Sequence, residues 1–146
     1  MSKWLWRGRS LEEIPDGMFG FVYKITYVCN SLEPKFYIGK KNFYSSRTKT
    51  LSKKESLEIW KGRGAKPKKK KVTKESDWRD YISSSKELQE LIRTMGEGCF
   101  IFEIIDMATT NSMLSYLEAK YIFETDALTA HSFNKWVSIK IRRENL

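Results

Sequence analysis

The chain has little of what builds metal clusters or disulfide scaffolds. It contains one histidine, His131, and two cysteines, Cys29 and Cys99. Two cysteines make no disulfide framework, and with a single histidine they form no zinc-ligand cluster. Reduced thiols in a cytoplasmic protein are therefore expected. Long apolar runs are missing too. None approaches the roughly eighteen residues of a membrane span, and Met1–Ser10 lacks a signal-peptide core, so a membrane partner is not expected. No internal repeat is visible.

What is present is aromatic and basic. With 40% hydrophobic and 14% aromatic residues in 146 positions, the chain carries enough apolar material for one core and suits a single domain, residues 1–146. The formal net charge is +9, and it is concentrated. Between Arg47 and Arg79 stand 13 Lys and Arg against 4 Asp and Glu, a balance of +9, whereas the remainder holds 14 of each. Such a patch is the electrostatic footprint of a protein that holds a polyanion, and DNA is the expected partner.

The stretch around which the chain is organised runs from Gly20 to Arg47. Two aromatic and β-branched runs, Phe19–Val28 and Phe36–Ile38, flank the turn-rich segment Cys29–Pro34, which reads as an antiparallel hairpin. Each strand carries a tyrosine, Tyr23 and Tyr37, and Arg47 follows ten residues after the second.

Phe21-Val22-Tyr23, Tyr37-Ile38-Gly39 and Arg47 together resemble the paired signature of the GIY-YIG nuclease family. In that family two hairpin tyrosines and a helical arginine form half of a phosphodiesterase site. The second half-motif is matched without a gap. In the first, Phe21 stands where the family usually has glycine, and the connector between the tyrosines is a few residues longer than usual. The lysine-rich segment followed by Trp78-Arg79-Asp80-Tyr81 is similar to the small GIY-YIG proteins encoded by bacteriophages.

Elsewhere the pattern supplies the remaining elements. Met1–Pro15, with Trp4 and Trp6 beside Arg7 and Arg9, reads as an edge strand, an arm packed on the core, or an arm that stacks on nucleic acid. Leu57, Ile59 and Trp60 close a short helix. The basic segment at about 61–77, with Lys68, Lys69, Lys70 and Lys71 in a row, buries too little apolar surface to fold alone and is expected to be a flexible loop. It reads as a phosphate-gripping loop, a solvated loop or an import signal. Trp60 and Trp78 bracket it as anchors or base-stacking platforms. Ser84 and Glu87 have capping-box spacing, and Leu88, Leu91, Ile92 and Met95 form a helical stripe. Phe100–Ile105 is apolar on both faces and should lie inside a sheet. A helix from Ser112 to about Leu128, capped by Thr110 or Asn111, buries Leu114, Leu117, Tyr121 and Leu128. Alternation from Val137 to Ile141 suggests a last strand.

On that third helix Glu118 projects at the shoulder of the apolar face, where a carboxylate is costly without a cation or hydrogen bonds. Glu124 lies near the same face, so periodicity does not choose between them. The resemblance does. Family members carry a metal-binding glutamate in a pattern like Leu117-Glu118-Ala119-Lys120. The alternative is a carboxylate paired with Lys120 or Arg47. A single carboxylate suits Mg2+, or Mn2+, which keeps several waters.

The fold implied is α/β: a small, mainly antiparallel, three-stranded sheet flanked by helices, with room for an additional terminal strand. The activity implied is metal-dependent hydrolysis of DNA phosphodiesters of the homing, restriction or degradation type. Tyr23 would be the base, its phenol lowered by nearby cations. Tyr37 would orient and donate a hydrogen bond, Arg47 would grip phosphoryl oxygens, and Glu118 would hold the ion. The family's extra position near the basic segment falls to Tyr81, or to Lys40 or Lys41. Gly39, Lys40, Lys41, Lys68 to Lys71 and Asn134 are the expected substrate contacts, Asn134 being also a candidate cap or turn-former. Double-strand cleavage would need a homodimer or two visits. A non-catalytic DNA-binding protein on the same fold is the alternative, and a structural nucleoprotein that prefers folded RNA is a third.

Overall fold

A computed structural model describes residues 1–29, 33–138 and 140–146. In chain order its elements are β1 (Leu5–Trp6), β2 (Arg9–Ser10), β3 (Gly20–Tyr27), β4 (Lys35–Asn42), β5 (Tyr44–Thr50), α1 (Lys53–Ile59), β6 (Lys69–Glu75), α2 (Lys86–Met95), β7 (Phe100–Ala108) and α3 (Asn111–Glu124). The chain divides into two compact units, Met1–Phe43 with Asp77–Leu146, and Tyr44–Ser76.

The first unit is built on a five-stranded sheet in the order β2-β1-β7-β3-β4. The three expected strands β7, β3 and β4 are there, with β3 antiparallel to both neighbours. Two strands more than expected come from the N-terminal segment, where β1 pairs parallel to β7 and antiparallel to β2. Each of these is two residues long, too short for alternation to announce it. The two-residue turn between them has Arg7 at φ 52° and Gly8 at φ 81°, the doubly left-handed geometry of a type I′ hairpin. Trp4, just before β1, is fully buried and donates its indole N–H to the Trp78 carbonyl at 2.8 Å. The N-terminal arm is therefore structural.

The apolar pattern of β3 explains how the sheet is covered. Phe21, Tyr23 and Ile25 point to one face and join Trp4, Phe43, Trp78 and the α2 residues Leu88 and Ile92. Val22 points to the other, with Ile38 and the α3 residues Leu114 and Ile122. Strand β7, apolar on both faces, lies inside the sheet between β1 and β3 as its composition requires. Helix α2 is capped by Ser85, whose Oγ accepts from Leu88 N at 3.3 Å, not by Ser84. Helix α3 is capped by Thr110 and ends at Glu124, so Leu128 lies beyond it and is 41% exposed.

Asn30, Ser31 and Leu32 of the expected hairpin turn, and Ile139 of the expected last strand, lie outside the described residues. The rest of Val137–Ile141 is not strand. What the C-terminal segment does instead is bridge β4 in parallel through Phe36 and Ser132. Cys29 and Cys99 are joined by a disulfide rather than reduced. Seventy residues separate them in sequence, but β3 and β7 are sheet neighbours, and Val28 N donates to the Cys99 carbonyl at 2.9 Å. Spacing along the chain could not reveal that proximity. No helix among the described residues is long and apolar enough to cross a membrane.

The second unit is a two-stranded antiparallel ribbon of β5 and β6, with α1 in the connection between them. A strand therefore stands at Lys69–Glu75 where a flexible loop over about 61–77 is expected, and Arg47 sits on a strand rather than a helix. The composition argument considers the lysine run by itself. Paired with Tyr44–Thr50, it satisfies its backbone through ladder hydrogen bonds that need no apolar core. Helix α1 opens with a capping box in which Ser52 Oγ accepts from Glu55 N at 3.2 Å and Ser52 N donates to Glu55 Oε1 at 3.5 Å.

Candidate functional site

Strand β4 is the last in the sheet order, and the C-terminal segment clips its outer edge at Phe36 and Ile38. Its alternation sends Tyr37 to the face of Tyr23 and α2, and Ile38 and Lys40 to the face of α3. Residues from both faces meet around this edge. They line a cleft of about 330 Å3 that includes Tyr37, Lys40, Tyr81, Ser84, Glu118 and Asn134.

The strand pairing sets the two hairpin tyrosines side by side, their rings tilted by 39°. Tyr23 is directly opposite Gly39, and its ring lies 6.0 Å from that of Tyr37 and 5.9 Å from that of Tyr81. Gly39 makes this arrangement possible. A Cβ there would collide with the Tyr23 hydroxyl and come within 2.8 Å of Tyr37 Cε1. The glycine expected to touch substrate thus makes room for a phenol. A register shift between Val22 and Tyr23 in the pairing with β7 marks a bulge at the first tyrosine.

Tyr23 is fully buried, and its hydroxyl has Tyr81 and Ser83 beside it but forms no hydrogen bond of good geometry. Burial, followed by the neighbouring Tyr81 and Tyr37 phenols, pushes its pKa well above the ordinary 10. The expected lowering is therefore reversed, because burial among aromatic rings disfavours the charged phenolate. Tyr37 is half-buried at the cleft wall and shares a hydrogen bond of 2.9 Å with Ser84 Oγ. Burial raises its pKa too, Ser84 offsetting part of the effect and Glu118 adding to it. Both phenols keep their protons at neutral pH.

Glu118 enters from α3, half-buried in the cleft. Burial raises its pKa above 4.5, and Lys40 opposes the rise through its charge and its backbone. The alternative carboxylate, Glu124, is exposed and lies 3.9 Å from Lys120. Lys120 is thus engaged one turn away, and Glu118 is the acid in the cleft. No group of three metal-type side chains exists among the described residues. One desolvated carboxylate fits an ion such as Mg2+ that keeps most of its waters and takes ligands from a phosphate. It does not fit an ion that needs three or four protein ligands.

The other expected residues take defined places. Lys40 donates to Ser115 Oγ at 2.7 Å. Lys41 is bound to Asp77 at 2.6 Å and lies 4.2 Å from the centre of the Tyr81 ring, so it steadies Tyr81 rather than presenting a free charge. Asn134 lines the cleft, but its amide is committed. Oδ1 accepts from Ile38 N at 2.9 Å and Nδ2 donates to Ile38 O at 2.8 Å. It behaves as one rung of a strand that clips the C-terminal segment to the centre of the Tyr-Ile-Gly motif. Tyr23, Tyr37, Lys40, Tyr81, Glu118 and Asn134 are brought together in the first unit. Arg47 and Lys69 to Lys71 lie on the ribbon of the second, with Lys68 just before it.

Two residues escaped the sequence reading. Ser84 bonds Tyr37 while Ser85 caps the helix, and a run of three serines does not say which one caps. Ser83 is fully buried at φ 130°, with its Oγ accepting from Ser85 N at 2.9 Å. Such a backbone angle is costly for a non-glycine residue and clusters at functional sites. Here it sits in the turn between Tyr81 and Ser84.

The family model described as "Putative endonuclease segE, GIY-YIG domain" matches residues 4–138 of this chain. No curated protein and no solved structure matches it.

Proposed function

Because this chain belongs to the GIY-YIG endonuclease family across nearly its whole length, a family whose nuclease activity implies a nucleic-acid substrate, we propose that it hydrolyses phosphodiester bonds in DNA with the help of a divalent ion. The observation that carries this reading is the cleft beside the outer edge of β4, where Tyr37, Tyr81 and Glu118 converge.

Hydrolysis adds negative charge to the phosphoryl oxygens in the transition state, so the site must supply positive charge and donated hydrogen bonds. Arg47, permanently ionised and on an exposed strand, offers a planar fork for two phosphate oxygens. Glu118 would hold Mg2+ or Mn2+, which when bound supplies Lewis acidity toward the phosphate. Tyr37, protonated and oriented by Ser84, donates to a phosphoryl oxygen. Tyr81, braced by Lys41, closes the wall beside it. Tyr23 keeps a buried hydroxyl beside Tyr81 and Ser83, with no hydrogen bond of good geometry. Its ring packs against Tyr37 and Tyr81, which line the cleft while Tyr23 does not. Serving as the base would require a cation to bring its phenol down against burial.

That raised Tyr23 phenol favours one alternative, a DNA-binding module that leaves its substrate whole. Supercoiled plasmid separates the two. With Mg2+ the proposal expects open-circular or linear product, lost with chelator and in Arg47→Ala and Glu118→Gln. Intact plasmid under all conditions, from a folded protein that still binds DNA, would establish the module instead. Linear product that rises with the square of protein concentration would indicate that a homodimer cuts both strands.

A further inference from the structure

Strands β5 and β6 hold six Lys and Arg residues and one acid, Glu75, in fourteen positions. Every one of these residues is exposed except Val72, which is half-buried. Lys49 stands directly opposite Lys70, and like charges in that position destabilise an antiparallel pair. A two-stranded ribbon is marginal in water even without such repulsion. A polyanion laid along it would remove the repulsion.

The faces of the ribbon differ. Lys49 lies 3.5 Å from Glu55 of α1, so its face, shared with Arg47 and Val72, looks toward the helix. On the opposite face Ser46, Thr48 and Thr50 pair with Thr73, Lys71 and Lys69. That face mixes hydroxyls, which donate and accept, with cations, and has no acid over these three pairs.

The form of the polyanion follows from what the ribbon lacks. Single-stranded nucleic acid is held by aromatic rings on which bases stack, and the one ring here, Tyr44, is at the end of the ribbon. Duplex RNA presents a major groove too deep and narrow for side chains to read. The major groove of B-form DNA, about 12 Å wide, admits a two-stranded ribbon. Seven residue pairs at about 3.4 Å each reach ~20 Å along such a groove.

We propose that the β5–β6 ribbon enters the major groove of duplex DNA with the Ser46, Thr48, Thr50, Lys69, Lys71 and Thr73 face toward the base edges. The inference takes its substrate class from the nuclease reading above and adds the element that grips the substrate and the groove it occupies.

The test is binding of the full chain, in chelator so that nothing is cut, to a 24-base-pair DNA duplex, the corresponding single strand and an RNA duplex, by fluorescence anisotropy. Duplex DNA should bind tightest. The slope of log K against log salt should fall in magnitude by about 2 in Lys69→Gln/Lys71→Gln, and stay unchanged in Lys53→Gln/Lys54→Gln, which removes the same charge from α1. On the unaltered protein, bound DNA should exclude the major-groove dye methyl green and still take up the minor-groove ligand netropsin. Preference for single strand or RNA, equal slope changes in both variants, or exclusion of netropsin with methyl green retained would overturn the proposal. If Lys69→Gln/Lys71→Gln does not fold, the dye competition decides alone. A chain that binds in this way but never cuts plasmid would sink the nuclease reading only. One that cuts while ignoring the ribbon substitutions would sink this one only.

Discussion

Gly39 lacks a side chain because two phenols occupy the space where one would go. Gly39→Ala should therefore displace Tyr23 or Tyr37, and overpacking of that kind costs about 1–3 kcal/mol. Urea unfolding should show the loss, and plasmid cleavage should fall with it. Glu118 makes the opposite prediction for stability. Its carboxyl is held above the ordinary 4.5, chiefly by burial, so the folded state binds the proton more tightly than the unfolded state. Ionisation then costs stability: the cost is absent below about pH 4.5, grows as pH rises from there toward the raised folded value, and is complete above it. Glu118→Gln should raise Tm at pH 7, lose that advantage toward pH 4, and abolish cleavage throughout. A Tm that falls at pH 7 would mean that Glu118 is a structural ion-pair partner.

At the level of elements, β4 has no strand beyond it, and an edge left uncovered would invite pairing with another chain. Asn134 covers the middle of that edge with two hydrogen bonds to Ile38. Asn134→Ala should cost about 2 kcal/mol, two bonds at roughly 1 kcal/mol each, and should speed hydrogen exchange at the Ile38 amide more than at amides of β3. The Cys29–Cys99 disulfide ties the end of β3 to the residue before β7, closing a loop of 70 residues. Cys29→Ser/Cys99→Ser, or reduction of the unaltered protein, should lower stability by about 2–4 kcal/mol, measured as a shift in the urea midpoint. Element type was legible in the sequence wherever periodicity was long. The stripe of α2, the two-faced β7 and the β3–β4 hairpin all stand where pattern requires. Arg47 and the lysine run were not, because a polar strand with no buried face carries no periodic signal.

For the whole molecule, charge and core are separate. Tyr44–Ser76 holds 12 Lys and Arg against 3 Asp and Glu, leaving +9, which is the net charge of the entire chain. The first unit is neutral in balance and contains the aromatic core. Its residues on either side of this excursion, Phe43 and Trp78, pack with ring centres 5.3 Å apart, so the chain leaves and rejoins the core at neighbouring points. Replacing residues 44–76 with a short Gly/Ser linker should leave a cooperatively folding protein with little change in the near-ultraviolet circular dichroism of its aromatic core. It should also remove salt-dependent DNA binding. Loss of cooperative unfolding would mean that the core needs the basic unit.

By itself the sequence determined the family, the basic segment and the order of the main strands and helices, because motif residues, charge and long periodicities are local properties of the chain. It also contained Tyr23, Tyr37, Tyr81 and Glu118 as candidates. Only the tertiary structure decided their states. Burial is a property of neighbours distant in sequence, so neither the raised Tyr23 phenol, nor the room made for it by Gly39, nor the commitment of Asn134 to Ile38 could be read along the chain. The same holds for the Cys29–Cys99 bond and for the ribbon that carries Arg47. Each depends on a pairing partner that only the folded sheet brings near.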